Sequence, residues 1–447
     1  MRDREIVFSC REGDCTSELQ AEMNSAAETG STLVLGAGVH HCGALRLPSG
    51  THLHFADGAI LRLADSYDAF ASNKVDVIAE SSDRAALLAQ NASNIRISGK
   101  GVIEGQGAAF ITGYLAEMGT HIPAALRPRV LVFENCSNIT LEDFSVHRSP
   151  MWTIHLIGTD GVTIQRIHVD NDREMPNTDG VVIDACTNVV ITACNIATAD
   201  DGVVLKTSAR SDGEPAGICR SITVSGCIVE SRSCALKLGT ESFGNFENIQ
   251  FVDCKIVRSN RALGIFSRDG GAVRNVLFQR IDIDCAETPE GFWGSGEAIT
   301  VNCVDRRKSK PAGTVENVLF EDITGRMEGA INLVADAPAG IRNVSLRRVS
   351  VLQETSSYNG LRYDVRPTRF DLEPSPDAAG RANAWVKDAE GKVIGLVPYP
   401  GGMPGVFASN VENLQVEAVS VSRPAPLPQG WNAQEIVVLT GEPNRWT

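Results

Sequence analysis

The chain has 447 residues, a formal net charge of −14, 43% hydrophobic and 21% charged residues. This balance supports a large buried core and argues against global disorder, and the acidic surplus argues against nucleic acid or an anionic membrane surface as partner. No run of roughly 18 apolar residues occurs, so no membrane span is expected.

The N-terminal stretch from Met1 to Cys10 has no long apolar run after its basic residues and does not read as a signal peptide. That points to a cytoplasmic protein, or to a secreted one whose leader has been removed. Residues 16–28 are amphipathic and predict a short helix that caps open strand edges, which aggregate when left unpaired. From Asn94 onward the pattern Asn-(Val/Ile)-x-(apolar) recurs, at Asn94, Asn138, Asn188, Asn248, Asn275, Asn317 and Asn343, with Asn413-Leu414 closing the series. Gly161 and Ser221 fill the same slot, and from Asn138 to Asn275 the steps are 23, 27, 33, 27 and 27 residues. Short alternating runs on such a period predict an all-β solenoid, a parallel β-helix. Asparagine suits its corners because it tolerates left-handed backbone and its amide can bond along the solenoid axis.

Twelve cysteines occur without a CxxC pair, so no metal site is expected and no cofactor is implied. Cys136, Cys186 and Cys219 fall two residues before the landmark, and Cys194, Cys227 and Cys254 six after it. This placement predicts a reduced ladder of small apolar side chains rather than disulfides.

The strand after each landmark aligns as Ser149–Ile154, Thr178–Ile183, Asp200–Leu205, Ser233–Leu238, Arg261–Phe266, Gly296–Val301 and Glu328–Leu333. In that register the seven are neighbours in one sheet, about 4.8 Å apart. Two long segments interrupt the period, 286–313 with Phe292, Trp293 and Glu297, and 352–407 with Arg362, Tyr363, Arg366, Arg369 and Trp385. Such insertions map to loops on one face, often the binding face. One domain over 1–447 is expected: a cap and first coil over 1–60, central coils over 61–350, and an insertion with C-terminal coils over 351–447.

Asn177-Thr178-Asp179-Gly180 is followed 22 residues after Asp179 by Asp201 within Ala199-Asp200-Asp201-Gly202. One coil apart, three carboxylates then meet on one sheet face, an arrangement costly in like-charge repulsion unless a reaction or a cation uses it. Glycoside hydrolysis needs one carboxylic acid for the leaving oxygen and a carboxylate for water or the anomeric carbon. Calcium is the rival use of the same residues. Trp152 and Glu297 are candidate sugar contacts, and Lys206 is a candidate for a substrate carboxylate or hydroxyl.

The block from Ser149 to Ser208, with SPMWTIH, NTDG and ADDGVVLK, resembles the centre of glycoside hydrolase family 28, the polygalacturonase-like group. Gly99-Lys100-Gly101-Val102-Ile103-Glu104-Gly105-Gln106-Gly107 is similar to its first-coil glycine motif. The resemblance implies a right-handed helix and inversion, with Asp200 as general acid and Asp179 and Asp201 activating water. The sequence departs from the family in two places. Where a His-Gly is usual it has Ser233-Cys234-Ala235, and where Arg-Ile-Lys is usual it has Gly264-Ile265-Phe266. All eight histidines lie at or before residue 168. Three readings follow: an uncharged or differently charged α-linked sugar as substrate, replacement cations from Lys206, Lys237 and Arg268, or loss of catalysis. The expected substrate is a plant cell-wall, pectin-type oligosaccharide, with exo attack. A polysaccharide lyase and a non-catalytic carbohydrate-binding β-helix are the alternatives.

Overall fold

Every landmark residue sits at a left-handed corner. In the computed structural model φ is +57° at Asn94, +55° at Asn138 and Asn188, +58° at Ser221, +57° at Asn248 and +58° at Asn275. The series continues at Asn317, Asn343 and Asn413 with φ between +52° and +57°. The structure describes residues 4–9, 12–76, 82–210, 212–289, 292–358, 360–370 and 386–440; Cys10 and Trp385 lie outside them.

Contacts divide the chain into two units, Met1–Gly113 with His121–Asp200 and Ser208–Cys227, and Tyr114–Thr120 with Asp201–Thr207 and Ile228–Thr447. In the first unit Leu45–Arg46, Ala85–Gln90, Arg129–Glu134, Ile154–Ile157 and Val181–Asp184 form a parallel row. A second row runs through Ser93–Gly99, Ser137–Glu142, Asp160–Gln165, Thr187–Thr192 and Cys219–Ser225. Ile95, Ile139, Val162, Val189 and Ile222 stack in register and are buried. At the corners Asn138 donates its amide to Asn94 Oδ1 at 2.6 Å, and Asn188 to Asp160 at 2.7 Å.

The predicted helix is Thr16–Thr29, which ends at Gly30 with φ +66°. Leu19, Met23 and Ala26, spaced four and three apart, turn its buried face inward. Gln20 closes the strand edge as a neighbouring strand would. Its Oε1 accepts from Arg46 N at 2.7 Å and its Nε2 donates to Arg46 O at 2.9 Å.

The second unit repeats the plan. Val203–Thr207, Cys234–Ser242, Arg261–Ser267, Ile299–Cys303, Ile331–Ala335, Val406–Ser409 and Ile436–Leu439 are parallel neighbours in that order. Phe251, Phe278 and Phe320 stack inside successive coils, with centroids 4.8 and 4.9 Å apart and rings within 8° of parallel. Asn413, Asn343, Asn317, Asn275 and Asn248 form an unbroken amide ladder. All eleven described cysteines are free and buried, in agreement with a reduced ladder. Among the described residues no helix is long and apolar enough to cross a membrane.

The register differs from the expected alignment at three points. Ile154 pairs with Val181 rather than Ile183, Arg261 with Cys234 rather than Ser233, and Leu263 with Ile299 rather than Ala298. The second difference follows from side-chain alternation. Leu236, Leu263 and Ile299 must stack on the same face, and a one-residue slip would turn every side chain to the other face. The outward row therefore reads Val204, Lys237, Gly264, Thr300, Asn332 and Phe407.

The longer insertion folds on itself. Arg362–Asp364 pairs antiparallel with Leu396–Pro398, and Tyr363, Tyr399 and Phe407 pack with centroids 5.0–5.6 Å apart. Tyr399 donates its hydroxyl to Asn332 Oδ1 at 3.0 Å, so this cluster covers the outward row at Asn332.

Asn317 donates to Asn275 and accepts from Asn343 at a left-handed corner. Asn317→Ala is expected to destabilise the chain by about 1–3 kcal/mol, and Asn317→Gly, which keeps the corner but not the ladder, by about half as much. Denaturant midpoints check the order; equal losses would remove the left-handed corner from the account.

Candidate active site

Each predicted residue falls within one of the two units. In the first, the turn before Asp179 is set by Asn177, with φ +59°. Arg127 clamps this turn, donating to Pro150 O at 2.9 Å, Pro176 O at 2.7 Å and Asn177 Oδ1 at 2.9 Å. Asn171 donates to Thr178 O at 3.1 Å, and Thr178 Oγ1 accepts from Ala199 N at 3.4 Å. Asn177 N then donates to Asp200 Oδ2 at 3.2 Å. The Asp179 turn and Asp200 are thereby held on adjoining coils, both carboxylates buried.

Trp152 lies in the same unit, and Thr153 N donates to Asp179 O at 2.9 Å. The indole is only 2% exposed, edge-on to His155 at 4.8 Å and under the Arg129 guanidinium at 5.3 Å. It packs against protein instead of presenting an open face to a sugar ring.

In the second unit Asp201 is buried between two donors. Ser233 Oγ donates to its Oδ1 at 2.9 Å and Lys237 Nζ to its Oδ2 at 2.6 Å. Cys234 stands on this strand where the family carries histidine, and burial together with Asp201 pushes its thiol up to about 12, so it is no nucleophile near neutral pH. Lys206 Nζ donates to Glu241 Oε2 at 2.8 Å. Arg306 Nη2 donates to Asp269 Oδ2 at 2.7 Å, Arg307 Nε to Asp269 Oδ1 at 3.1 Å, and Arg306 Nη1 lies 3.9 Å from Glu241 Oε1.

Gly264 and Phe266 stand where the family has its two cations. A Cβ at Gly264 would come within 2.7 Å of both Cys234 Sγ and the Phe266 ring, so the aromatic side chain fills that space. Lys237, Arg261 and Arg268 surround the ring at 5.3, 5.0 and 5.5 Å from its centroid.

Arg268 and Glu297 are both turned into the protein. Arg268 directs its donors to the backbone oxygens of Pro367, Ser267, Asn302 and Val365. Burial and Arg306 push its guanidinium down to about 10. Arg268 thus ties the insertion to the sheet. Glu297 lies 3.4 Å from Arg261 Nε and accepts from Ser295 N at 2.6 Å. Arg261 also meets Asp364 at 2.7 Å, and Asp364 pairs with Arg366 at 2.8 Å. Burial raises Glu297 more than Arg261 lowers it, whereas at Asp364 burial is outweighed by Arg366 and Arg261, which hold it at about 2.

Glu241, Asp269, Arg306 and Arg127 were not singled out by the sequence. The only local cue was the basic run Arg306-Arg307-Lys308 inside an insertion. Among the described residues no group of three His, Cys, Asp or Glu side chains is arranged to hold a metal ion.

Parallel coils carrying buried aspartates at their strand starts define a β-helix glycoside hydrolase. The chain belongs to glycosyl hydrolases family 28, whose model matches residues 61–362. An Arabidopsis thaliana probable polygalacturonase is 27% identical over 237 residues, 51% of this chain but 47% of that relative. An endo-polygalacturonase of Pectobacterium carotovorum subsp. carotovorum is 23% identical, over 78% of this chain and 87% of its own length. Among solved structures, the hyperthermoactive exopolygalacturonase of Thermotoga maritima aligns with a TM-score of 0.63 at 19% identity, covering 79% of this chain and 88% of that one. A family 28 exopolygalacturonase of Yersinia enterocolitica aligns with a TM-score of 0.66 at 14% identity, covering 98% and 78%. These similarities show the right-handed parallel β-helix fold.

Glu287 anchors the second insertion by accepting from Ser356 Oγ. Burial, reinforced by Glu297 and Glu328 against the Ser356 hydrogen bond, pushes its carboxyl up to about 7. The folded chain therefore holds a proton that the unfolded chain releases near pH 4.3, and stability falls as pH rises from about 4.3 to about 7. Glu287→Gln removes that loss, up to about 3 kcal/mol. Thermal unfolding should show a higher Tm for the variant at about pH 8 and no gain at about pH 4.5; an equal gain at both would exclude the proton linkage.

Proposed function

We propose that the chain hydrolyses an α-linked glycosidic bond in a pectin-type oligosaccharide, by inversion and from a chain end. The observation that carries this reading is the placement of the Asp179 turn and Asp200 on adjoining coils, with Asp201 next in the chain. Asp200 acts as general acid toward the leaving oxygen. Asp179 and Asp201 hold and activate water, and Lys237 and Ser233 fix the Asp201 carboxylate through both its oxygens. A single displacement needs room for water between acid and base, and its product has the opposite anomeric configuration.

Exo attack is supported by the outward row of the second unit, which meets Tyr399 and Phe407 at Asn332. The insertion that carries Tyr399 is fastened by Arg268 and by the buried Arg261, Asp364 and Arg366 network. A polysaccharide running along this row would need a continuous open groove, which that cluster interrupts.

Asp200→Asn and Asp201→Asn are each expected to lower kcat by about 10²–10⁴ on pectic oligosaccharides. The first product seen by NMR should be the inverted anomer, released as a single sugar or short unit from one end. Full activity in both variants would sink the hydrolase assignment, and initial release of the retained anomer would sink inversion.

A further inference from the structure

We infer that Glu241 is a specificity-determining residue, a built-in carboxylate that occupies the cations of this face and so selects an uncharged sugar residue over a uronate. The inference rests on the proposed reading that the sugar chain lies on this face of the second unit.

The cluster contains four cations, Lys206, Lys237, Arg306 and Arg307, and three carboxylates, Asp201, Glu241 and Asp269. Each cation has a protein carboxylate within 4.0 Å. Lys237 is engaged with Asp201, while Arg306 and Arg307 meet on Asp269. Glu241 lies between Lys206 and Arg306, 2.8 Å from Lys206 Nζ and 3.9 Å from Arg306 Nη1. That is where a guest carboxylate would find two positive partners, and the host carboxylate is already there.

Glu241 is also the acid of this cluster that a ligand can reach. Its side chain is 23% exposed, against 2% for Asp201 and 0% for Asp269. Burial disfavours its charge, but Lys206 and Arg306 outweigh burial and hold it at about 2, so it stays a carboxylate at any working pH. A uronate placed there would have to displace Glu241 from its donors while facing its charge. A neutral sugar or a methyl-esterified uronate only hydrogen-bonds around it. Gly264 and Phe266, which replace the usual pair of cations on the same strand, point the same way.

Trigalacturonate and its fully methyl-esterified form differ at each sugar by one methyl group, which removes the carboxylate charge. Calorimetric titration of both into the wild type should show the ester binding about tenfold tighter or more. Glu241→Gln removes the negative charge between Lys206 and Arg306, and should raise affinity for the acid form by about tenfold while leaving the ester within about twofold. Glu241→Asp keeps the charge and should keep the wild-type preference. A wild type that prefers the acid form, a Glu241→Gln variant that shifts both ligands equally, or no binding of either ligand would overturn the inference. Because the readout is binding, a wild type that shows the preference but cleaves neither ligand would sink the hydrolysis reading and leave this one standing.

Discussion

The rest of the structure depends on a corner. At each landmark the backbone turns through the left-handed region, a conformation that costs most residues energy and asparagine less. In the second unit five asparagines take that corner one above another and pass a side-chain hydrogen bond up the stack. Because the corner recurs at nearly the same phase of each coil, the strand after it begins at the same height. The register of those strands decides which side chains face outward. The position of Lys237 beside Val204, and of Asn332 beside Thr300, follows from that register.

Charge inside the second unit is arranged so that buried ions have partners. Asp201 has Lys237, Glu241 has Lys206, Asp269 has Arg306 and Arg307, and Asp364 has Arg261 and Arg366. A single buried ion of this kind would be strongly destabilising, and pairing with added hydrogen bonds makes it tolerable. The same pairing limits what the face can recognise, since an engaged cation is a poor receptor for a guest anion. Where the sequence departs from the family pattern stand a buried thiol, a glycine and a phenylalanine ring, while Lys206 and Lys237 lie on the strands Val203–Thr207 and Cys234–Ser242, and Arg306 and Arg307 in an insertion.

The insertions belong to the same economy of space. The longer one brings Tyr363 and Tyr399 against Phe407 at one end of the outward row and is held by buried ionic and backbone contacts. Arg268 shows how this changes a residue's role. It directly follows the strand where a substrate cation was expected, but the backbone of the longer insertion folds over it and takes its donors.

The sequence by itself determined the repeated features: all-β coils, asparagine corners, an N-terminal capping helix, reduced cysteines inside the stack, and aspartates at strand starts. Each of these is a local or periodic property, so a single coil, read against the next, contains the information. Only the tertiary structure decided which charges meet. Lys237 and Asp201 are 36 residues apart, Arg306 and Asp269 are 37, and Arg268 and Pro367 are 99. No period links such residues. Their pairing depends on a one-residue choice of strand register and on where two long, irregular insertions come to rest. Trp152 and Glu297 were candidate sugar contacts from spacing alone, and both turn inward against buried partners on neighbouring strands, Arg129 and Arg261.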